Sequence, residues 1–195
     1  MRKIFFLDNQ DSFTYNLVEE LKCLGYEVEV YRNTVPAKVI SQKIDHALND
    51  TICPILFLSP GPGKPQSSTT MMALLQDYVG KLPIIGICLG HQAIAHHYGG
   101  RVTLAGETVH GKCSSIALTP HPIFAEFGNA LQVARYHSLV VEELPECLNV
   151  IGQYQDLIMA MIHEQDRVLG FQFHPESILT PKGTLLLKHS IDYLA

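Results

Sequence analysis

The sequence contains no apolar run approaching the ~20 residues of a membrane span, which excludes a helical membrane protein. It carries no basic excess. A net charge of −5 and a pI near 6.0 leave no electrostatic case for nucleic acid or an anionic membrane as partner. It has no Cys-x-x-Cys. The five cysteines (Cys23, Cys53, Cys88, Cys113 and Cys147) are odd in number and scattered, which argues against both a disulfide framework and a zinc site. There is no repeat, linker or low-complexity stretch, and no secretory apolar core, because Asp8 cuts the opening run Ile4-Phe5-Phe6-Leu7 to four residues. A cytoplasmic protein forming one domain over residues 1–195 is the expectation, and 47% apolar residues suffice for its core.

What is present centres on Pro83-Ile84-Ile85-Gly86-Ile87-Cys88-Leu89-Gly90-His91-Gln92. A short apolar run reads as a buried strand, and a helix reads on to Tyr98, where Gly99-Gly100 stops it. Between them, Gly86-Ile87-Cys88-Leu89-Gly90 is a nucleophile elbow with sulfur in place of the hydroxyl. Glycines suit a turn in which any Cβ would crowd the backbone. A cysteine after an apolar strand is ordinarily a small buried hydrophobe. The two flanking glycines, and the polar His91-Gln92 where core is expected, turn the reading towards a reactive thiol at a helix N-terminus.

Along the chain, Ile4 to Leu7 reads as a strand. A helix follows with Asp11 or Ser12 as N-cap and Gly25 as stop. A strand at 27–31, a helix opened by Pro36, a strand at 55–58 and a helix over 69–79 repeat the alternation, which predicts a parallel sheet covered by helices. After Gly100 the pattern becomes strands at 101–104, 115–118, 131–136, 139–142, 148–152, 157–162 and 168–174, extending the sheet antiparallel in part. Thr180-Pro181 is expected to cap a last helix. In such sheets ligands bind beyond the carboxyl ends of the strands, where Cys88, residues 59–63 and residues 8–12 all fall.

A thiolate nucleophile needs a proton partner and a group to orient it. Among ten histidines the best placed is His174, in Gly170-Phe171-Gln172-Phe173-His174-Pro175-Glu176. Alternation puts Gln172 and His174 on one face, and an extended His174-Pro175-Glu176 points His174 and Glu176 the same way. Gly61-Pro62-Gly63 after a buried strand suits a stiff loop presenting backbone N–H groups to an oxyanion. The run from Gly106 to Cys113 is one residue short of a phosphate-binding loop. It lacks the Ser or Thr for magnesium and leads into a strand where such a loop opens a helix, so nucleotide binding is rejected there. The adjacent His96 and His97 face apart on a helix and make a poor metal pair.

Gly86-Ile87-Cys88-Leu89-Gly90-His91-Gln92, Ser59-Pro60-Gly61-Pro62-Gly63 and Phe173-His174-Pro175-Glu176-Ser177 together resemble the three signatures of the class I (triad) glutamine amidotransferases. Leu7-Asp8-Asn9-Gln10-Asp11-Ser12-Phe13 and Arg135-Tyr136-His137-Ser138-Leu139 are similar to the anthranilate synthase component II branch and its near relative, the glutaminase subunit of aminodeoxychorismate synthase. The resemblance implies a Rossmann-like α/β sandwich with a mixed, mostly parallel central sheet. It implies that Cys88 attacks L-glutamine, that His174 handles protons and that Glu176 orients it. It implies oxyanion or glutamine contacts at Gly61, Pro62, Gly63, Leu89, Gln92, Ser138 and Leu139. The partner it implies is a chorismate-using component I of either synthase, which would carry magnesium; no cofactor or metal is expected in this chain. Two competing readings are a free hydrolase of the γ-glutamyl hydrolase kind and a non-catalytic glutamine-binding subunit. The Gly61 loop and Tyr136-His137-Ser138-Leu139 argue against the first, and the intact triad against the second.

Overall fold

The computed structural model describes residues 2–49, 52–106 and 110–195. Strand and helix alternate as expected through β1 (Lys3–Asp8), α1 (Thr14–Cys23), β2 (Glu27–Arg32), α2 (Ala37–Ala47), β3 (Ile55–Leu58), α3 (Thr69–Tyr78), β4 (Ile84–Ile87) and α4 (Leu89–His97). There follow β5 (Arg101–Leu104), β6 (Lys112–Leu118), β7 (Ala130–Arg135), β8 (Leu139–Glu143), β9 (Asn149–Tyr154), β10 (Leu157–His163), β11 (Val168–Phe171) and α5 (Gly183–Leu194). Nine strands form one sheet in the order β2-β1-β3-β4-β11-β10-β9-β6-β7. The first five are parallel and the remainder antiparallel.

The parallel strands are apolar on both faces because both are covered. Phe6, Phe57, Ile85, Ile87 and Phe171 pack with Leu17 and Leu21 of α1 and with Leu186, Leu187 and Ile191 of α5. Phe5, Leu7, Leu56, Leu58 and Ile84 face Ile40 and Ile44 of α2, Leu74 of α3 and Ile94 of α4. Residues alternating along β1 therefore serve two cores, as the period of a strand requires.

Four local expectations are corrected. Only part of the later strands extends the sheet, since β5 and β8 pair apart as a two-stranded sheet. The cap of α1 is Phe13, with no side-chain cap bond; Asp11 instead accepts from the Phe13 N–H at 2.8 Å, a turn that competes with capping. Strand β11 ends at Phe171, because beyond it His174 forms a lone bridge to Ala134. Thr180 does not cap α5: Lys182 holds that position with no side-chain bond. The stop at Gly25 stands, with φ of +88° and its N–H on the Lys22 carbonyl. Lys112 and Cys113 lie in β6, so the rejected phosphate-loop run feeds a strand, while its residues 107–109 lie outside the described residues.

Candidate active site

Register brings the site together. Leu7 pairs with Leu58, Leu58 with Gly86, and Ile87 with Phe171. The residues just past these strands, Asn9, Ser59, Cys88 and Gln172, therefore emerge side by side at one sheet edge. Asn9 locks two of the loops together: its N–H donates to Ser59 Oγ at 2.7 Å and its Nδ2 to the Ser59 carbonyl at 3.0 Å. A Cβ on Gly61 would meet Asn9 Cβ at 2.5 Å and Leu89 Cδ2 at 2.9 Å. Glycine is thus required where residues 59–63 press against the elbow.

Cys88 has φ of +52° and ψ of −98°, a conformation sparsely populated by residues with a side chain, with a cost of about 1–3 kcal/mol. Its surroundings hold it there. The Cys88 N–H donates to the Phe171 carbonyl at 2.8 Å. A Cβ on Gly86 would lie 2.5 Å from the Gly90 carbonyl carbon, and one on Gly90 2.5 Å from the Leu58 carbonyl oxygen. Strand, turn and helix are packed backbone to backbone, which the two glycines permit. Leu89 opens α4, so its N–H is among those a helix leaves without an internal partner.

His174 is 2% exposed, and its Nδ1 lies 2.7 Å from Glu176 Oε1. Burial alone pulls the imidazole pKa down, but the adjacent Cys88 and Glu176 outweigh it and raise the value to about 10. Nε2 is buried with no formed hydrogen bond. Phe13 and Tyr136 hold the ring edge-on, at centroid distances of 5.4 and 5.2 Å.

The way Glu176 reaches His174 differs from the extended expectation. Residues 175–176 form a turn, closed by the Ser177 N–H on the His174 carbonyl at 3.3 Å. Thr180 fixes that turn: its Oγ1 donates to the His174 carbonyl at 2.7 Å and accepts from the Ala134 N–H at 2.9 Å. Gly183 fixes it from the helix side, since a Cβ there would sit 1.7 Å from the Pro175 carbonyl oxygen. Gly183→Ala should therefore cost about 1–3 kcal/mol, the usual penalty for overpacking. It would appear as a lower urea midpoint at unchanged m-value. A midpoint equal to that of the parent would show that the turn is not pinned there.

A cavity of about 480 Å³ opens beside Cys88. Gly61, Pro62, Gly63, Gln92, Ser138 and Leu139 line it, as do Gln10, Asp11 and Ser12 of the loop after β1. Leu89 is buried behind it, touching the Gly61 position. Gln92 is partly engaged: its Nε2 donates to the Leu139 carbonyl and to Gln172 Oε1, both at 3.1 Å, leaving its own carbonyl oxygen to accept. Two contributors escaped the sequence reading. Gln172, whose Nε2 lies 3.7 Å from Cys88 Sγ, was signalled by sharing the strand face of His174. Thr180 carried no such signal, because its partners are remote in sequence. His91 is corrected: fully buried, with both ring nitrogens lacking a hydrogen bond, it is pushed by burial to a pKa of about 3 and is core. Among the described residues no group of three or more His, Cys, Asp and Glu could hold a metal ion, and no helix is long and apolar enough to cross a membrane.

Comparison with known proteins agrees with this geometry. The family model for glutamine amidotransferase class-I matches residues 5–193. A Vibrio parahaemolyticus protein named anthranilate synthase component 2 is 48% identical over 193 residues, 99% of this chain and 96% of that protein. The Helicobacter pylori protein of the same name is 46% identical over 192 residues, 98% and 97% of the two. Among solved structures, a putative GMP synthase component from Thermoplasma acidophilum superposes with a TM-score of 0.84 at 22% identity, covering 100% of this chain and 94% of that one. A glutamine amidotransferase from Thermotoga maritima does so with a TM-score of 0.76 at 14% identity, covering 99% and 97%. These two likenesses concern the fold alone. With a family model spanning nearly its full length and relatives almost half identical over all of it, the chain belongs to the class-I glutamine amidotransferases.

Proposed function

We propose that this chain is the glutaminase subunit of an anthranilate synthase, hydrolysing L-glutamine and passing the ammonia to a chorismate-using component I in tryptophan biosynthesis. The observation that carries the chemistry is the strained Cys88 at the mouth of the 480 Å³ cavity, with the buried His174–Glu176 pair behind it. The branch rests on the 48% identity to a protein named anthranilate synthase component 2.

In this reading Cys88 Sγ attacks the glutamine carboxamide carbon. The oxyanion lies against the N–H of Leu89 and the loop of Gly61, Pro62 and Gly63, which supply charge stabilisation without reorganising. His174 gives its proton to the amide nitrogen, the C–N bond breaks, and ammonia leaves a glutamyl thioester on Cys88. His174 then takes a proton from water, whose oxygen attacks the thioester; the C–S bond breaks, and glutamate and the free cysteine result. Glu176 holds the imidazole so that Nδ1 stays bonded and Nε2 does the transfer. Gln92, Ser138 and Leu139 hold the rest of the substrate. Magnesium, in this reading, belongs to the component I partner, and the chain works in the cytoplasm.

Ammonia released into water becomes ammonium, which is no nucleophile, so hydrolysis should await docking. Docking is assigned to the edge carrying the site, through residues 8–12 and 59–63; the third segment expected there, 107–112, lies partly outside the described residues. The test is glutamate release from glutamine against added component I, with the chorismate product identified. The rate should rise with component I, and glutamine bound at Cys88 should tighten the complex by the same factor. A rate and an affinity both indifferent to component I would make the chain a free hydrolase. Stimulation only by component I of aminodeoxychorismate synthase would move it to that branch.

A further inference from the structure

A second cavity, of about 360 Å³, lies on the other side of His137, which lines both it and the cavity beside Cys88. Its wall contains Arg135, 3% exposed. A guanidinium stays charged and offers five N–H donors. Here Nε donates to Ser114 Oγ at 2.9 Å, and the Tyr154 ring covers one face at 4.3 Å. No carboxylate pairs with Arg135 among the described residues. A buried cation without a counter-charge is costly, and neither a hydroxyl nor a ring face supplies one. His137 adds a second unmet demand: it is 4% exposed, and both its ring nitrogens are buried without a hydrogen bond. A cation and an imidazole, both short of partners, thus share one cavity.

We infer that this cavity is a binding site for a small carboxylate anion, held by the Arg135 guanidinium and by a ring N–H of His137. Carboxylate is the planar anion that fits the guanidinium fork. Asp156, an exposed residue of the same lining, sets the charge limit. Its own carboxylate repels a second negative charge, so the site favours a monoanion over inorganic phosphate. The inference does not depend on the reaction proposed for Cys88, because Arg135, Tyr154 and Asp156 line only this second cavity.

The probe is sodium acetate, titrated into the full chain at constant ionic strength, with sodium chloride and inorganic phosphate as controls. Saturable binding with Kd on the order of 1–10 mM is expected, and phosphate should bind more weakly than acetate. Asp156→Asn should tighten acetate at least ~3-fold and phosphate by more, as removal of a nearby like charge predicts. Arg135→Met, which keeps the stem but not the charge, should weaken acetate at least ~10-fold, the usual order for a charge-assisted bond. No saturable acetate binding by the parent chain overturns the inference, and so does an affinity unchanged in Arg135→Met. Should Arg135→Met not fold, Asp156→Asn decides alone, and an unchanged acetate affinity in that variant overturns the inference equally.

Discussion

Cys88→Ala abolishes glutamate release from glutamine and leaves the fold and partner binding in place. That is the expected result, because the sulfur makes the covalent bond while the elbow needs only a small residue. The backbone at residue 88 adds a second readout. Alanine keeps a Cβ at φ of +52° and ψ of −98°, and so keeps the strain; glycine does not. Cys88→Gly should therefore be more stable than Cys88→Ala by about 1 kcal/mol, within the range for such positions, and equally inactive. Urea midpoints of the two variants, read beside a glutamate assay, check both halves. Residual glutaminase activity in either variant would remove Cys88 from the mechanism. Equal stabilities would mean that the turn is not strained.

His174→Ala should lower glutaminase turnover by at least ~10²–10⁴-fold, the worth of a positioned acid–base group. Glu176→Gln should cost less, because Glu176 orients the imidazole and raises its proton affinity without touching substrate. Its separate signature lies in pH. The folded-state pKa of His174, about 10, stands above the ordinary 6.5. A group whose pKa is raised by folding adds stability that is complete below its unfolded value and is lost as the pH climbs through its folded one. The parent chain should therefore lose stability between about pH 6.5 and pH 10. In Glu176→Gln that loss should be smaller, since one of the two groups holding the proton has gone. Urea midpoints across that window test it. A Glu176→Gln variant slower than His174→Ala, or one with the parent's pH dependence, would mean that the roles are wrongly assigned.

The sequence by itself determined a good deal. The alternation of apolar strands with capped helices up to Gly100 is local, so the parallel half of the sheet was legible from hydrophobic period and glycine stops. Gly86 and Gly90 around Cys88 announced the elbow because a backbone that close to Leu58 tolerates no Cβ. Gly61-Pro62-Gly63 and the His174–Glu176 pairing were legible for the same kind of reason, each being a short-range pattern. What only the tertiary structure decided depends on residues far apart in the chain. Which later strands join the main sheet is a matter of pairing partners, and β5 and β8 found each other instead. The polar His91 reads as site material until the fold closes over it and leaves it neutral in the core. The turn that sets Glu176 beneath His174 is held by Thr180, Ala134 and Gly183, whose nearness no local period encodes. Arg135 reads as an ordinary strand-end cation, and only burial without a carboxylate makes it a site. Local propensity acts over a few residues, whereas burial and counter-charge are properties of the folded whole.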